Sequence, residues 1–241
     1  MNAITIRNLS KKYGELTAVD NLNLDIEKGE LFALLGLNGA GKTTTIKMLS
    51  CLIRPTGGDA ILLEDSVNSN PQAVKQKVNV SPQETAVAPN LTVMENLELM
   101  AGIYGKDTKT ARQSARELSL RFGLDKILGK KAKKLSGGMQ RRLSIAMALI
   151  SDPQILFLDE PTLGLDVLAR RELWASIKQL KGEVTIVLTT HYLEEVEVLS
   201  DRIGVMTCGR LAAVGTVEEL TQQTGKENLE DAFVALSGGA V

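Results

Sequence analysis

Residues 36–43 read Gly36-Leu37-Asn38-Gly39-Ala40-Gly41-Lys42-Thr43, a glycine-spaced run closed by a lysine and a hydroxyl. The chemistry this suits is phosphate binding. Glycines let a loop curl until backbone N–H groups converge on phosphate oxygens, and a helix that starts at the loop's end adds the positive end of its dipole. Asn38, Gly39, Ala40 and Gly41 supply the backbone of that cradle. Lys42 brings charge to the terminal phosphates, Thr43 a hydroxyl to a magnesium ion, and Thr44 a donor to an inner phosphate. A second chemical run, Ile155-Leu156-Phe157-Leu158-Asp159-Glu160, is an apolar stretch ending in two carboxylates. Adjacent strand residues point to opposite sides, so the two acids are expected to have different tasks. Asp159 is assigned to the magnesium shell, and Glu160 to polarising an attacking water as a general base.

These groups need a frame. Ile4 and Ile6, then Leu22, Leu24 and Ile26, recur at a period of two and predict half-buried strands that pair antiparallel. Residues 30–36 read as a fully buried strand, 41–52 as a helix and 60–63 as a short strand, so the glycine loop lies between strand and helix, the context its chemistry requires. From about 85 to 151 the pattern is mainly helical, with Thr92 and Glu95 spaced as a capping box and further helices near 110–122 and 138–150. Strand and helix then alternate again: a strand at 155–158, a helix from about 168, a strand at 184–189, a short helix near Leu193 and a strand at 203–206. The reading is an α/β chain with a mainly parallel core, an N-terminal antiparallel β subdomain and an inserted helical subdomain over about 85–151. One domain is expected over 1–220, with a C-terminal extension over 221–241; residues 221–230 are polar enough to read as a loosely held connection, and Gly238-Gly239 as a frayed end.

Composition narrows the partners. With 28 basic and 29 acidic side chains, the 241-residue chain lacks the charge excess of a protein held by counterion release, so no nucleic-acid partner is expected. The two cysteines, Cys51 and Cys208, lie in apolar stretches with no neighbour at metal-ligand spacing, and read as buried thiols in a reducing, cytoplasmic compartment. The first ten residues carry no leader pattern, and no apolar run approaches the roughly 20 residues of a membrane-crossing helix, so a membrane role is expected to come through a partner.

Leu135-Ser136-Gly137-Gly138-Met139-Gln140 opens a helix ahead of the strand that carries Asp159. With this run the set resembles the ATP-binding-cassette ATPases from Tyr13 to about Gly215, six motifs in the family's order, and looks most like cassettes of bacterial drug or sodium exporters. The resemblance implies a P-loop ATPase with ATP and Mg2+ as ligands that drives a separate membrane-spanning permease subunit from the inner face of the membrane. It implies that Tyr13 stacks on adenine, that Gln83 touches magnesium or water while linking the two lobes, and that His191, the single histidine, contacts the γ-phosphate. Gly164-Leu165-Asp166 resembles the family's dimer-communication loop, and Asp166 is also placed to cap the following helix. A Ser-Gly-Gly segment at a helix start is physically a second anion site. The resemblance implies that Ser136, Gly137 and Gly138 close on the nucleotide of a second ATPase subunit, giving a head-to-tail dimer, homo- or heteromeric. Met139 replaces the family's frequent glutamine, and Val167 its frequent proline. The alternative employer is a soluble cassette outside transport; a regulatory module without turnover is disfavoured by the joint presence of Lys42, Asp159, Glu160 and His191.

Overall fold

The N-terminal alternation becomes two long strands, β1 (Asn2–Tyr13) and β2 (Leu16–Glu27), paired antiparallel with Ile4 opposite Ile26 and Ile6 opposite Leu24. In the computed structural model, which describes residues 1–238, the chain then enters β3 (Leu31–Leu35), buried at every position, and crosses the glycine loop into α1 (Lys42–Leu49). β4 (Gly57–Leu62) returns to β1, and β5 (Asp65–Ser66) completes a four-stranded sheet in the order β2-β1-β4-β5. A helix and a strand that the apolar pattern did not suggest follow: α2 (Pro71–Lys77) and β6 (Val78–Ser81). β6 is only four residues long and half-buried at its centre, too short for periodicity to register.

Three α-helices and two short 3-10 turns lie between β6 and the next strand, the α-helices being α3 (Val93–Ile103), α4 (Thr108–Arg121) and α5 (Gly137–Leu149). The capping box is formed: Thr92 Oγ1 accepts from Glu95 N at 3.2 Å, and Glu95 Oε2 accepts from Thr92 N at 2.7 Å. β7 (Ile155–Asp159), α6 (Val167–Lys178), β8 (Thr185–Thr190), α7 (Leu193–Leu199), β9 (Arg202–Thr207) and β10 (Arg210–Gly215) complete a six-stranded sheet, ordered β10-β9-β3-β8-β7-β6. β9, β3, β8, β7 and β6 run parallel, and β10 closes the edge antiparallel. α8 (Val217–Thr224) runs across position 220, and α9 (Leu229–Leu236) follows.

This sheet is covered on both faces, which is why its strands read as unbroken apolar runs rather than alternations. Leu31, Ala33, Leu35, Leu156, Leu158, Ile186 and Leu188 face a core shared with the helices of the middle region and of the C-terminal half. Phe32, Leu34, Ile155, Phe157 and Val187 face the opposite core, shared with α1 and the antiparallel sheet.

Three expectations need correction. Residues 221–230 are not a loose connection: α8 and α9 occupy most of that stretch, stopped and restarted by Gly225 in the left-handed region and by the Asn228 cap. Leu220, Leu229 and Ala232 are buried, so a few apolar positions anchor a polar sequence. Cys208 is exposed rather than buried, because it sits in the tight β9–β10 turn with φ +48°. Ala86, Val87 and Ala88 are apolar with no evident strand or helix to bury them, which predicts an exposed surface, yet only Ala86 is exposed; Val87 packs against the core, and Ala88 is held by Asn96, whose Oδ1 accepts from Ala88 N at 2.8 Å. The frayed Gly238-Gly239 end reaches Gly239, outside the described residues.

Candidate functional site

Four parallel strands deliver the site from their carboxyl ends, where such sheets bind ligands. β3 leads into the glycine loop, β6 into Gln83, β7 into Asp159 and Glu160, and β8 into His191. The loop's path needs glycine: Gly41 has φ +102°, and a Cβ there would lie 2.5 Å from the Ala18 carbonyl oxygen. The loop is tied to its surroundings by Gly36 N donating to Thr190 O and Gly209 N donating to Ala40 O.

Lys42 Nζ donates to the Gly36 carbonyl at 2.7 Å and lies 3.2 Å from Glu160 Oε1, both side chains being almost fully buried. His191 Nδ1 lies 2.9 Å from Glu160 Oε2. Thr43 Oγ1 donates to Asp159 Oδ1 at 3.0 Å, and Thr189 Oγ1 donates to the same oxygen at 2.6 Å. The two carboxylates thus have separate partners, and strand alternation is not the whole cause. β7 ends at Asp159, and Glu160 turns into the left-handed region with φ +48°, its N–H donating to both Thr189 O and Thr189 Oγ1 at 3.1 Å. A non-glycine residue held there costs about 1 kcal/mol or more and persists where its surroundings over-determine it.

A cleft of about 750 Å³ opens over this arrangement, lined by Tyr13, Asn38–Thr44, Gln83, Glu160 and His191, with Leu163, Cys208 and Gly209 on its walls. The structure therefore gathers most of the sequence-assigned residues around one cavity. Tyr13 is half-exposed at its mouth, with Lys11 Nζ 5.1 Å from the ring centre. Ser136, Gly137 and Gly138 do not line it. Ser136 caps α5 by accepting from Met139 N at 3.3 Å, and both Ser136 and Gly137 are exposed. Gly138 is buried where a Cβ would meet Ala169 Cβ of α6 at 2.8 Å. Asp166 caps α6, accepting from Ala169 N at 2.9 Å.

A family model described as ABC transporter matches residues 19–163, the stretch that holds the glycine loop, Gln83, the Ser136 helix and both carboxylates. This chain belongs to the ABC transporter family. A daunorubicin resistance ATP-binding protein of Streptomyces coeruleorubidus is 41% identical over 95% of this chain and 72% of its own length. Among solved structures, an ATP-binding subunit of an ABC transporter superposes with TM-score 0.86 at 29% identity, covering 98% of this chain and 99% of its own. A dimeric ATP-binding cassette in a post-hydrolysis state with ADP and Pi superposes with TM-score 0.79 at 28% identity, covering 88% of this chain and 98% of its own. The chain is an ATP-binding, ATP-hydrolysing subunit that energises transport. Among the described residues, no helix is long and apolar enough to cross a membrane.

Sequence reasoning missed three contributors. Thr189 steadies Asp159 and Glu160 from the neighbouring strand, a pairing fixed by register alone. Arg141 is buried on α5, and its signal was a lone cation in the stripe shared with Ile145 and Ala148. Glu195 is wholly buried on α7, with Oε1 accepting from Trp174 Nε1 at 3.0 Å. Burial pushes its carboxyl above the usual carboxylate range, the charge of Glu160 adds to the push, and the hydrogen bond from Trp174 opposes it.

Proposed function

We propose that this subunit powers a drug-exporting permease from the cytoplasmic face of the membrane, with Glu160 as the base of ATP hydrolysis. One observation carries the reading: a single carboxylate is held between Lys42 and His191 beside the phosphate loop, while its neighbour Asp159 is held by Thr43. With ATP bound, Lys42 exchanges its carbonyl and carboxylate partners for phosphate oxygens, which leaves Glu160 free to face water. Glu160 takes a proton from that water as its oxygen attacks the γ-phosphorus; the bond to the β-bridging oxygen breaks, and ADP and phosphate result. His191 orients the attack from the other side of the carboxylate, Gln83 reaches the water from the lobe side, and Tyr13 receives the adenine at the cleft mouth.

The donor set fits a hard dication: a hydroxyl and a carboxylate oxygen 3.0 Å apart at the loop's end, the oxygen chemistry such an ion prefers. Thr43, Asp159 and Gln83 would hold Mg2+, which would supply neutralisation of the charge developing on the phosphates. Because Ser136, Gly137 and Gly138 lie outside the chain's own cleft, the reading puts them on the nucleotide of a second ATPase subunit, head to tail, in a homodimer or with a different cassette.

Residues 85–151 act in this reading as a helical lobe, and 221–241 as an extension of the core domain. The permease docks on the apolar groove of about 550 Å³ lined by Leu52, Val78, Val80, Pro82, Ala86 and Tyr104, beside the Gln83 loop. The exporter assignment draws on the resistance proteins among its relatives. Affinity capture of the tagged chain from solubilised membranes tests it: a multi-spanning protein lost on Leu52→Glu and Ala86→Glu supports docking there. Ribosomal or other soluble partners would overturn the transport role and favour a soluble cassette.

A further inference from the structure

Arg141 is a buried cation that the roles above leave unused. Only 3% exposed, it stands on α5, the helix that Ser136 caps. Nη1 donates to the Pro82 carbonyl at 2.6 Å; Nη2 donates to the Gln83 carbonyl and, at 3.4 Å, to the Glu160 carbonyl. The three acceptors belong to two loops, one leaving β6 and one leaving β7, and both loops line the nucleotide cleft.

Burying a guanidinium is costly, and this one forms no direct ion pair among the described residues; the fields of Asp159 and Glu195 support its charged form against burial. A planar fork can grip two carbonyls at fixed spacing, which a flexible ammonium cannot do. The grip falls on a left-handed backbone position. Glu160 has φ +48°, with Thr189 receiving its N–H on one side and Arg141 contacting its carbonyl on the other.

We infer that Arg141 is a positioning residue that ties α5 to the Gln83 and Glu160 loops, so that hydrolytic geometry follows the placement of that helix. The inference rests on the assignment of Glu160 and Gln83 above. A nucleotide engaged at Ser136 moves α5, and the guanidinium carries that movement to the two loops. Residues 36–44, which hold the phosphates, accept no hydrogen bond from Arg141, so its loss separates turnover from binding.

The test compares full-length wild type, Arg141→Leu, Arg141→Lys and Glu160→Gln by steady-state ATPase kinetics, titration with a fluorescent ATP analogue, and thermal unfolding. For Arg141→Leu the expected result is kcat lowered by roughly tenfold or more at an affinity within about threefold of wild type. Arg141→Lys should recover part of the rate, since one ammonium reaches one loop at a time. The inference is overturned if kcat of a folded Arg141→Leu stays within about twofold of wild type, or if rate and affinity fall together. Should Arg141→Leu not fold, Arg141→Lys decides: a lowered kcat at unchanged affinity supports the tie, and a wild-type kcat removes it. Glu160→Gln at wild-type rate would instead sink the assignment of the base and with it the premise, a failure visible separately from the Arg141 result.

Discussion

Glu160 is where binding and turnover part company. Replacing it with Gln keeps the shape of the group but removes the proton acceptor. ATP should still bind, while kcat should fall by about 10²- to 10³-fold, read from ATPase rates beside nucleotide titration. Glu195 gives a prediction of a different kind. Its native pKa lies above the ordinary 4.5, so the folded chain holds this proton more tightly than the unfolded one. Its contribution to stability is therefore full below 4.5 and is lost as pH rises through the raised native value. Glu195→Gln, which keeps an acceptor for Trp174 and carries no charge to bury, should gain in thermal midpoint relative to wild type as pH rises from 4.5. A difference independent of pH would show that the group does not change protonation there. The charges facing it are Glu160 and Arg141, which act in opposite directions.

At the scale of elements, the start of α5 meets the start of α6 closely. Gly138 permits the approach, since a Cβ there would fall 2.8 Å from Ala169 Cβ. Gly138→Ala should cost about 1–3 kcal/mol through overpacking, measured by chemical denaturation, and Ala169→Gly in the same chain should return much of it. An unrescued double variant would place the cost elsewhere. Asp166 bears on the same junction: Asp166→Ala removes the α6 cap and should cost about 1 kcal/mol. An ATPase loss larger than this destabilisation explains would assign the residue a second role, in the dimer. The cap was legible in Gly164-Leu165-Asp166, because a cap depends on local sequence, while the Gly138 contact joins segments far apart in the chain.

For the whole molecule, the sheet divides two cores and gathers four loops at one edge. That edge holds the chain's phosphate loop but not its Ser136 helix start, so ATP is expected to bring two subunits together. Glu160→Gln with ATP and magnesium should run by light scattering as a dimer, with ADP or with Lys42→Ala as a monomer. If the ATP-bound variant stays monomeric at high concentration, the second cassette is a different chain or the permease is needed to align the pair.

Much of this was written in local sequence. Gly36 to Thr43, the apolar run ending in Asp159 and Glu160, the Thr92 capping box and the alternation of β1 and β2 each depend on residues a few positions apart, where backbone sterics and hydrogen-bonding reach suffice. Only the tertiary structure decided what depends on distant segments. It turned Glu160 left-handed between Thr189 and Arg141, exposed Cys208 in a turn, built α8 and α9 from a polar tail, and set β6 beside β7 so that Gln83 reaches the cleft. The physical reason is common to all of these. Burial, register and the meeting of loops are properties of packed neighbours, and a chain read in order does not list its neighbours in space.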